Sequence, residues 1–454
     1  MDRKRSLTYL LALAMLIVIK ATSGFSLAQF SPCQLPKPEQ DTLRLFPERT
    51  NYRTEFIRID EEGERRGIGG EKLYREIEQR LGDKWDPVWE PKDLPYVFYE
   101  LLKGPDRIGW IFGANQSWPG SDNTQIMCAF YLSDRITEFY YQKLPASADL
   151  RSMIKEQLHS KDFYSQFIGL TLEHFYVHEY LENLKVQDKD LRALDMISRM
   201  RDTSGMEQAG FLKTLRGMKL IFILIDDIKF ANKVKKNEVF EKTRYLVEHK
   251  TEIPLLGPDA LSRIQKTFPD ASRFVVDLIS LKGKARPIED RLHGKLDPAT
   301  EPEDHIYPVY VVYKDDVYQA PFVRGNILGY VLPLNLKTPK GKFTAVLAVD
   351  ASEKDKGKIL SFEVGNEDFP GMKGLSLVSF YSHEVLSAAN VPDQKLDKVA
   401  ALGRLKVRGK DATGPVLRAA ELGLIITDEF YLNNFFNKDE ITQKMRDYLK
   451  DQNK

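Results

Sequence analysis

Apolar positions along the chain fall into blocks with two different periods. In "LPYVFYELLKGPDRIGWIFG" (94–113) and "IYPVYVVYKDDVYQAPFVRGNILGYVLP" (306–333), aromatic and β-branched residues fill two segments separated by a charged turn. That is the pattern of paired strands. "TQIMCAFYLSDRITEFYYQKL" (124–144) and "GKFTAVLAVDASEKDKGKILSFEVG" (341–365) read as hairpins, each a strand, a polar turn and a strand. Two later stretches, "RDTSGMEQAGFLKTLRGM" (201–218) and "GKDATGPVLRAAELGLI" (409–425), open on Asp, then Ser or Thr, then Gly, and pass into helix.

These blocks form a repeat. "LRLFPERTNYRTEFIRI" (43–59) returns as "IQKTFPDASRFVVDLIS" (264–280), each with Phe-Pro and an acidic residue before a β-rich run. Gly109-Trp110 in one half corresponds to Gly329-Tyr330 in the other. Four landmarks recur in the same order. Strands precede helices in each half, which predicts α+β units of antiparallel sheet with flanking helices. The expected boundaries are 41–235 and 258–440. A helical linker spans 236–257, and 441–454 is a charged tail that reads as a surface helix.

The first residues have a different character. "MDRKRS" is basic, and "LTYLLALAMLIVI" (7–19) is apolar but shorter than the roughly 20 residues of a membrane span. Ser26 and Ala28 occupy the minus-three and minus-one places of a cleavage site. Residues 1–28 therefore read as a secretory signal peptide, with an uncleaved anchor as the alternative. The expected location is periplasmic or extracellular, free or membrane-associated. Export makes a disulfide between Cys33 and Cys128 chemically permissible; two separate thiols are the other reading.

Composition narrows the classes. A chain of 454 residues with 42% hydrophobic content suits two or three folded domains. The net charge is +1 and no basic block stands out, so nucleic acid is not an expected partner.

The order of motifs resembles the FMN-binding domain family, in two tandem degenerate copies. The family includes extracytoplasmic flavin-carrying subunits of sodium-pumping quinone reductases and Rnf-type complexes. The likeness is carried by "YPVYVVYKDD", "LGYVLP", "FTAVLAVD", "ILSFEVGNEDFPGMKG" and "GKDATGPVLRAA", and in the first half by "DRITEFYY", "SKDFYSQFIGL" and "RDTSGMEQAG". It implies an FMN cofactor, electron transfer, and a membrane redox complex or another exported protein as partner. The family signature is Ser/Thr-Gly-Ala-Thr, whose last Thr takes the FMN phosphate in a phosphoester bond. Ser204-Gly205 and Thr413-Gly414 match its first pair. Glu207 and Val416 stand where the acceptor belongs. Neither carries a hydroxyl, so covalent attachment is not expected and any flavin would be held non-covalently. The alternative is a cofactor-free interaction or scaffold module that kept the fold.

The residues also allow plainer readings. Ser204 and Glu207 have the spacing of a capping box, and Asp411 or Thr413 can cap the second helix. A carboxylate at a helix start competes with a phosphate for the positive end of the dipole. Trp110, Trp118 and Tyr330 are candidates to stack on a flavin ring, or are ordinary core aromatics. His174 and His178 lie one helical turn apart and could share a metal, or could belong to a packed helix. Trp85 and Trp89 read as buried anchors in loops. The pairs Asp226-Asp227 and Asp315-Asp316 read as solvated turn or strand-end residues. No nucleophile elbow is present.

Overall fold

The computed structural model describes residues 33–454 apart from 87–88, 91–94, 119–121, 133, 145–147, 149–160, 201–204, 293, 298–300, 303, 320–321, 392–396 and 453–454. The signal-peptide segment, Ser204 and the Ser204–Glu207 capping box lie outside what is described. No helix among the described residues is long and apolar enough to cross a membrane.

The described residues within 1–172, 201–234 and 317–324 form one compact unit, and those within 173–200, 235–316 and 325–454 form another. In the first, α1 (Pro38–Leu45) leads into β1 (Asn51–Ile57), followed by α2 (Ile59–Arg65) and α3 (Gly70–Leu81). Strands β2 (Tyr96–Lys103), β3 (Asp106–Trp118), β4 (Asp122–Tyr131) and β5 (Ile136–Lys143) complete an antiparallel sheet in sequence order. Short α4 (Lys161–Ser165) follows. The second unit begins with α5 (Leu172–Asn183) and α6 (Lys189–Leu194).

The chain then returns to the first unit as α7 (Gly205–Lys229). Residues 220–227 of α7 are buried without interruption. The first six of these, 220–225, are apolar on every side, which marks a helix covered by its own domain. Its Phe222 meets Phe130 of β4 edge-on at 5.5 Å.

The rest of the second unit is α8 (Lys236–Glu248), α9 (Ala260–Gln265), β6 (Arg273–Ser280), α10 (Ala285–Arg291), β7 (Ile306–Gln319), β8 (Phe322–Thr338), β9 (Gly341–Asp350), β10 (Ile359–Val364) and β11 (Glu367–Asp368). These six strands again lie in sequence order in one antiparallel sheet. Then come α11 (Leu377–Ala388), the hairpin β12 (Lys406–Val407) and β13 (Lys410–Asp411), α12 (Thr413–Tyr431) and α13 (Lys438–Gln452). Residues 419–428 of α12 are buried throughout, as in α7. The α+β class with two similar antiparallel sheets is as expected from the sequence.

The two units repeat side-chain contacts as well as strand order. A Cβ built on Gly109 would meet the Phe46 ring at 2.9 Å and the Phe130 carbonyl at 2.3 Å. At Gly329 it would meet the Phe268 ring at 2.5 Å and the Val349 carbonyl at 2.3 Å. The ring of each Phe-Pro thus packs against the Gly of each Gly-aromatic pair. Tyr99 accepts the Leu35 amide at 3.0 Å, and Tyr310 accepts the Leu256 amide at 3.0 Å. Thr50 Oγ1 accepts the Gly104 amide and donates to the Leu102 carbonyl. Ser272 Oγ does the same with Asp315 and Tyr313.

The long helices end alike. Asp226 accepts the Val234 amide at 3.2 Å and pairs with Arg80. Asp428 accepts the Phe436 amide at 3.3 Å and pairs with Arg291. Each end then turns through two residues of positive φ, Ala231-Asn232 and Asn433-Asn434.

These contacts correct the reading of the acidic pairs. Asp226 and Asp227 are not solvated turn residues; they lie in the last turns of α7, 1% and 7% exposed, held by Arg80 and Arg66. A buried carboxylate needs such partners to keep its charge. Asp315 is likewise paired, with Arg273 at 2.7 Å.

The glycine contacts give a direct prediction. Gly109→Ala and Gly329→Ala each force backbone or ring movement in a packed strand. Each is expected to cost about 1–3 kcal/mol, read by urea unfolding, with Gly→Ala at exposed Gly414 as the neutral control.

Candidate functional site

The best-described candidate is the start of α12. Hairpin β12–β13 delivers the chain to it, and Thr413 is its first residue. Asp411 accepts the Thr413 amide at 3.0 Å and the Thr413 hydroxyl at 2.7 Å. Those two bonds hold the Asp411 carboxyl below its usual range, with Arg404 and Lys406 adding to the effect. Thr413 Oγ1 also accepts the Leu405 amide at 2.9 Å. Gly414 is exposed, and a Cβ there would meet nothing within 4 Å.

Arg404 and Lys406, both exposed, lie close enough to act on Asp411; Arg408 and Lys410 are exposed too, with Arg408 over the Phe343 ring at 4.8 Å. The segment "EDFPGM" lies beside them, since Glu367 accepts the Arg408 amide at 3.1 Å. The second copy of the flavin-like motif thus has Glu367 bonded to the hairpin that leads into α12. Its helix start, however, already carries a carboxylate.

The first copy is described only from Gly205, where α7 begins. Ser204 lies outside the described residues, and so do the bonds it would make.

The aromatic candidates lie elsewhere. Trp110 is 3% exposed and meets Phe230 edge-on at 5.3 Å, just past the C-terminal end of α7. Tyr330 is 4% exposed and lies 4.7 Å from Tyr431, the last residue of α12. At about 1.5 Å per residue, the 25 residues of α7 span about 38 Å and the 19 of α12 about 28 Å. Trp110 and Tyr330 therefore pack at the opposite end of each helix from Gly205 and Thr413-Gly414. One mononucleotide cannot put its phosphate on the helix start and its ring on these residues. They act as core aromatics joining sheet to helix. Trp118 carries no described side chain.

The structure brings together a constellation the sequence reading missed. In each unit a loop of sequence Asp-Pro-x-x-Glu-Pro precedes the second strand: Asp86 to Pro91 and Asp297 to Pro302. Each loop closes on itself, with the Asp86 amide on Glu90 at 2.8 Å and the Asp297 amide on Glu301 at 2.9 Å. Both glutamates are buried, at 2% and 5% exposure. Each takes an arginine from the long helix: Arg216 for Glu90 and Arg418 for Glu301, at 2.6 Å in the second case. Beside each pair stands a tyrosine, Tyr96 or Tyr307, whose buried hydroxyl has no hydrogen-bond partner among the described residues. Burial first, and the nearby glutamate second, raise both phenols. Burial also pushes Glu90 up, against the pull of Arg216. The arrangement clamps a loop to a helix. The signal available in the sequence was the repeated Asp-Pro-x-x-Glu-Pro, which differs in its neighbours, Trp85 and Trp89 against Leu296 and Thr300.

The histidine pair separates. His174 Nε2 faces the Val276 carbonyl at 3.1 Å, whereas His178 Nδ1 bonds Asp195 at 3.0 Å. His178, Glu182 and Asp195 do gather ligand atoms within 4.8 Å. Arg192 already donates to both Glu182 and Asp195, so a fixed cation occupies the place of a metal. Hydrogen bonding to His178 helps hold Asp195 below its usual range despite burial.

Both cysteines are buried free thiols. Cys33 packs its sulfur on Met127 at 3.3 Å, and burial pushes it up to about 12.

A cleft of 730 Å³ in the second unit is lined by charges of both signs, among them Glu241, Lys242, Arg244, Lys282 and Asp304. None of the sequence-selected site residues borders it. No protein-family model, curated protein or solved structure matches the chain. The flavin-family likeness therefore stands on the motifs alone.

Proposed function

We propose that the protein is an exported pair of degenerate FMN-binding-type domains that works as a flavin-free interaction module. The observation that carries this reading is the separation of parts. Trp110 and Tyr330 are consumed in the core, about 38 and 28 Å along a helix from the phosphate-type starts. The replaced acceptors at Glu207 and Val416 support it. So does Asp411, a carboxylate held where a phosphate would sit. Partners on this reading are other exported proteins or a membrane redox complex, and the export signal is residues 1–28.

A second reading is favoured by one observation, the open start of α12. Gly414 leaves its approach clear, and Arg404 and Lys406 act on Asp411 beside it. There the second unit would hold the phosphate of a flavin non-covalently, with the ring against other surfaces.

The purified protein is expected to be colourless and to show no thermal shift with added FMN. A yellow preparation, or a shift with FMN that Gly414→Glu abolishes, would establish the second reading instead.

A further inference from the structure

The two sheets begin on equivalent edge strands, β1 and β6, and these edges are finished differently. The shared Phe-Pro aligns Val276 with Thr54 and Leu278 with Phe56. On β6 the outward carbonyls are covered: His174 Nε2 donates to Val276 at 3.1 Å and Lys242 Nζ to Leu278 at 3.4 Å. Helices α5 and α8 supply those side chains. Among the described residues β1 pairs with β2 alone, and its residues are half or fully exposed from end to end. Phe56 is 59% exposed. An uncovered edge of seven residues is a template for another strand.

The sequence of β1 says which strand fits. "NYRTEFI" is self-complementary when run antiparallel about Thr54. Thr54 then faces its own copy. Tyr52 faces Phe56 of the other chain, and Arg53 faces Glu55. By equivalence with Val276 and Leu278, the backbone groups of Tyr52, Thr54 and Phe56 turn away from β2 and would exchange bonds across the new seam, where the Tyr52 amide would give up its present acceptor, Asn51 Oδ1 at 2.8 Å. Arg53 and Glu55 would fall in the closer, non-hydrogen-bonded positions, where opposite charges and aromatic pairs stabilise a ladder. Arg53 reaches Glu100 at 3.5 Å but keeps 69% of its side chain exposed; Glu55, paired with Lys229, keeps 36%.

We propose that β1 is a homodimer seam, at which two copies of this chain join their first sheets antiparallel across a two-fold axis through Thr54. The contact is isologous, so it closes after two copies. It goes beyond the proposed function and does not depend on whether flavin binds.

Sedimentation velocity on the full mature chain, over a wide concentration range, tests it. The wild type is expected to form a reversible dimer. Thr54→Pro removes only an outward amide, which an edge strand tolerates, and is expected to leave a monomer with a native far-UV spectrum. Arg53→Glu sets like charges opposite each other and is also expected to give a monomer. Adding Glu55→Arg restores the pairing and is expected to restore the dimer. If Thr54→Pro misfolds, the charge swap decides. A wild type monomeric at every concentration, a dimer that survives Arg53→Glu, or a double variant that stays monomeric would overturn the proposal.

Discussion

Arg216→Met is expected to lower the stability of the first unit by about 3–5 kcal/mol. Glu90 is 2% exposed and holds its charge against burial chiefly through Arg216. Removing the cation strands a carboxylate in a place that disfavours it. The cost is therefore larger than that of an exposed pair, which is worth about 0–1 kcal/mol. Arg216 also donates to Asp83 and to the Lys84 carbonyl, so the loop before the second strand loosens as well. The double variant Arg216→Met, Glu90→Leu removes both charges. It is expected to recover most of the loss, because replacing a buried pair by apolar groups is often neutral. Urea unfolding of the two variants and the wild type checks both statements. Equal destabilisation in single and double variants would mean the loop contacts, not the stranded charge, carry the effect.

Acid weakens the second unit through His305. This ring is 3% exposed and packs edge-on against Tyr307 at 4.9 Å. Burial lowers it from 6.5 to about 4, and the opposing pull of Asp304 and Glu252 does not win. The folded value lies below the unfolded one, so the unfolded chain binds the proton first. The stability at stake is present above pH 6.5 and is lost as pH falls toward 4. At 1.36 kcal/mol per pH unit the loss amounts to about 3 kcal/mol. His305→Phe keeps the ring and removes the proton site. Unfolding at pH 7 and at pH 4 should show a smaller acid loss in the variant than in the wild type. An equal loss in both would remove His305 as the cause.

The sheets were legible because their strands carry two kinds of evidence at once, apolar runs and the turn residues that divide them. The helix starts at Gly205 and Thr413 were legible for a similar reason. What the sequence could not display was direction. Gly109-Trp110 and Gly329-Tyr330 are equally compatible with a ring turned to a cofactor or to a core. Phe230 and Tyr431, far along the chain, decide for the core. Asp226-Asp227 looked solvated because adjacent carboxylates usually are. Their partners, Arg80 in α3 and Arg66 just past the end of α2, become neighbours only after folding. The loop clamps escaped notice because the glutamates and their arginines are more than a hundred residues apart.

The proposed flavin-free reading is tested most directly by native mass spectrometry of the intact chain, purified from cells that express it. The expected result is the mass of the polypeptide alone or of its dimer, with no added mononucleotide. A species heavier by one or two FMN per chain would overturn it.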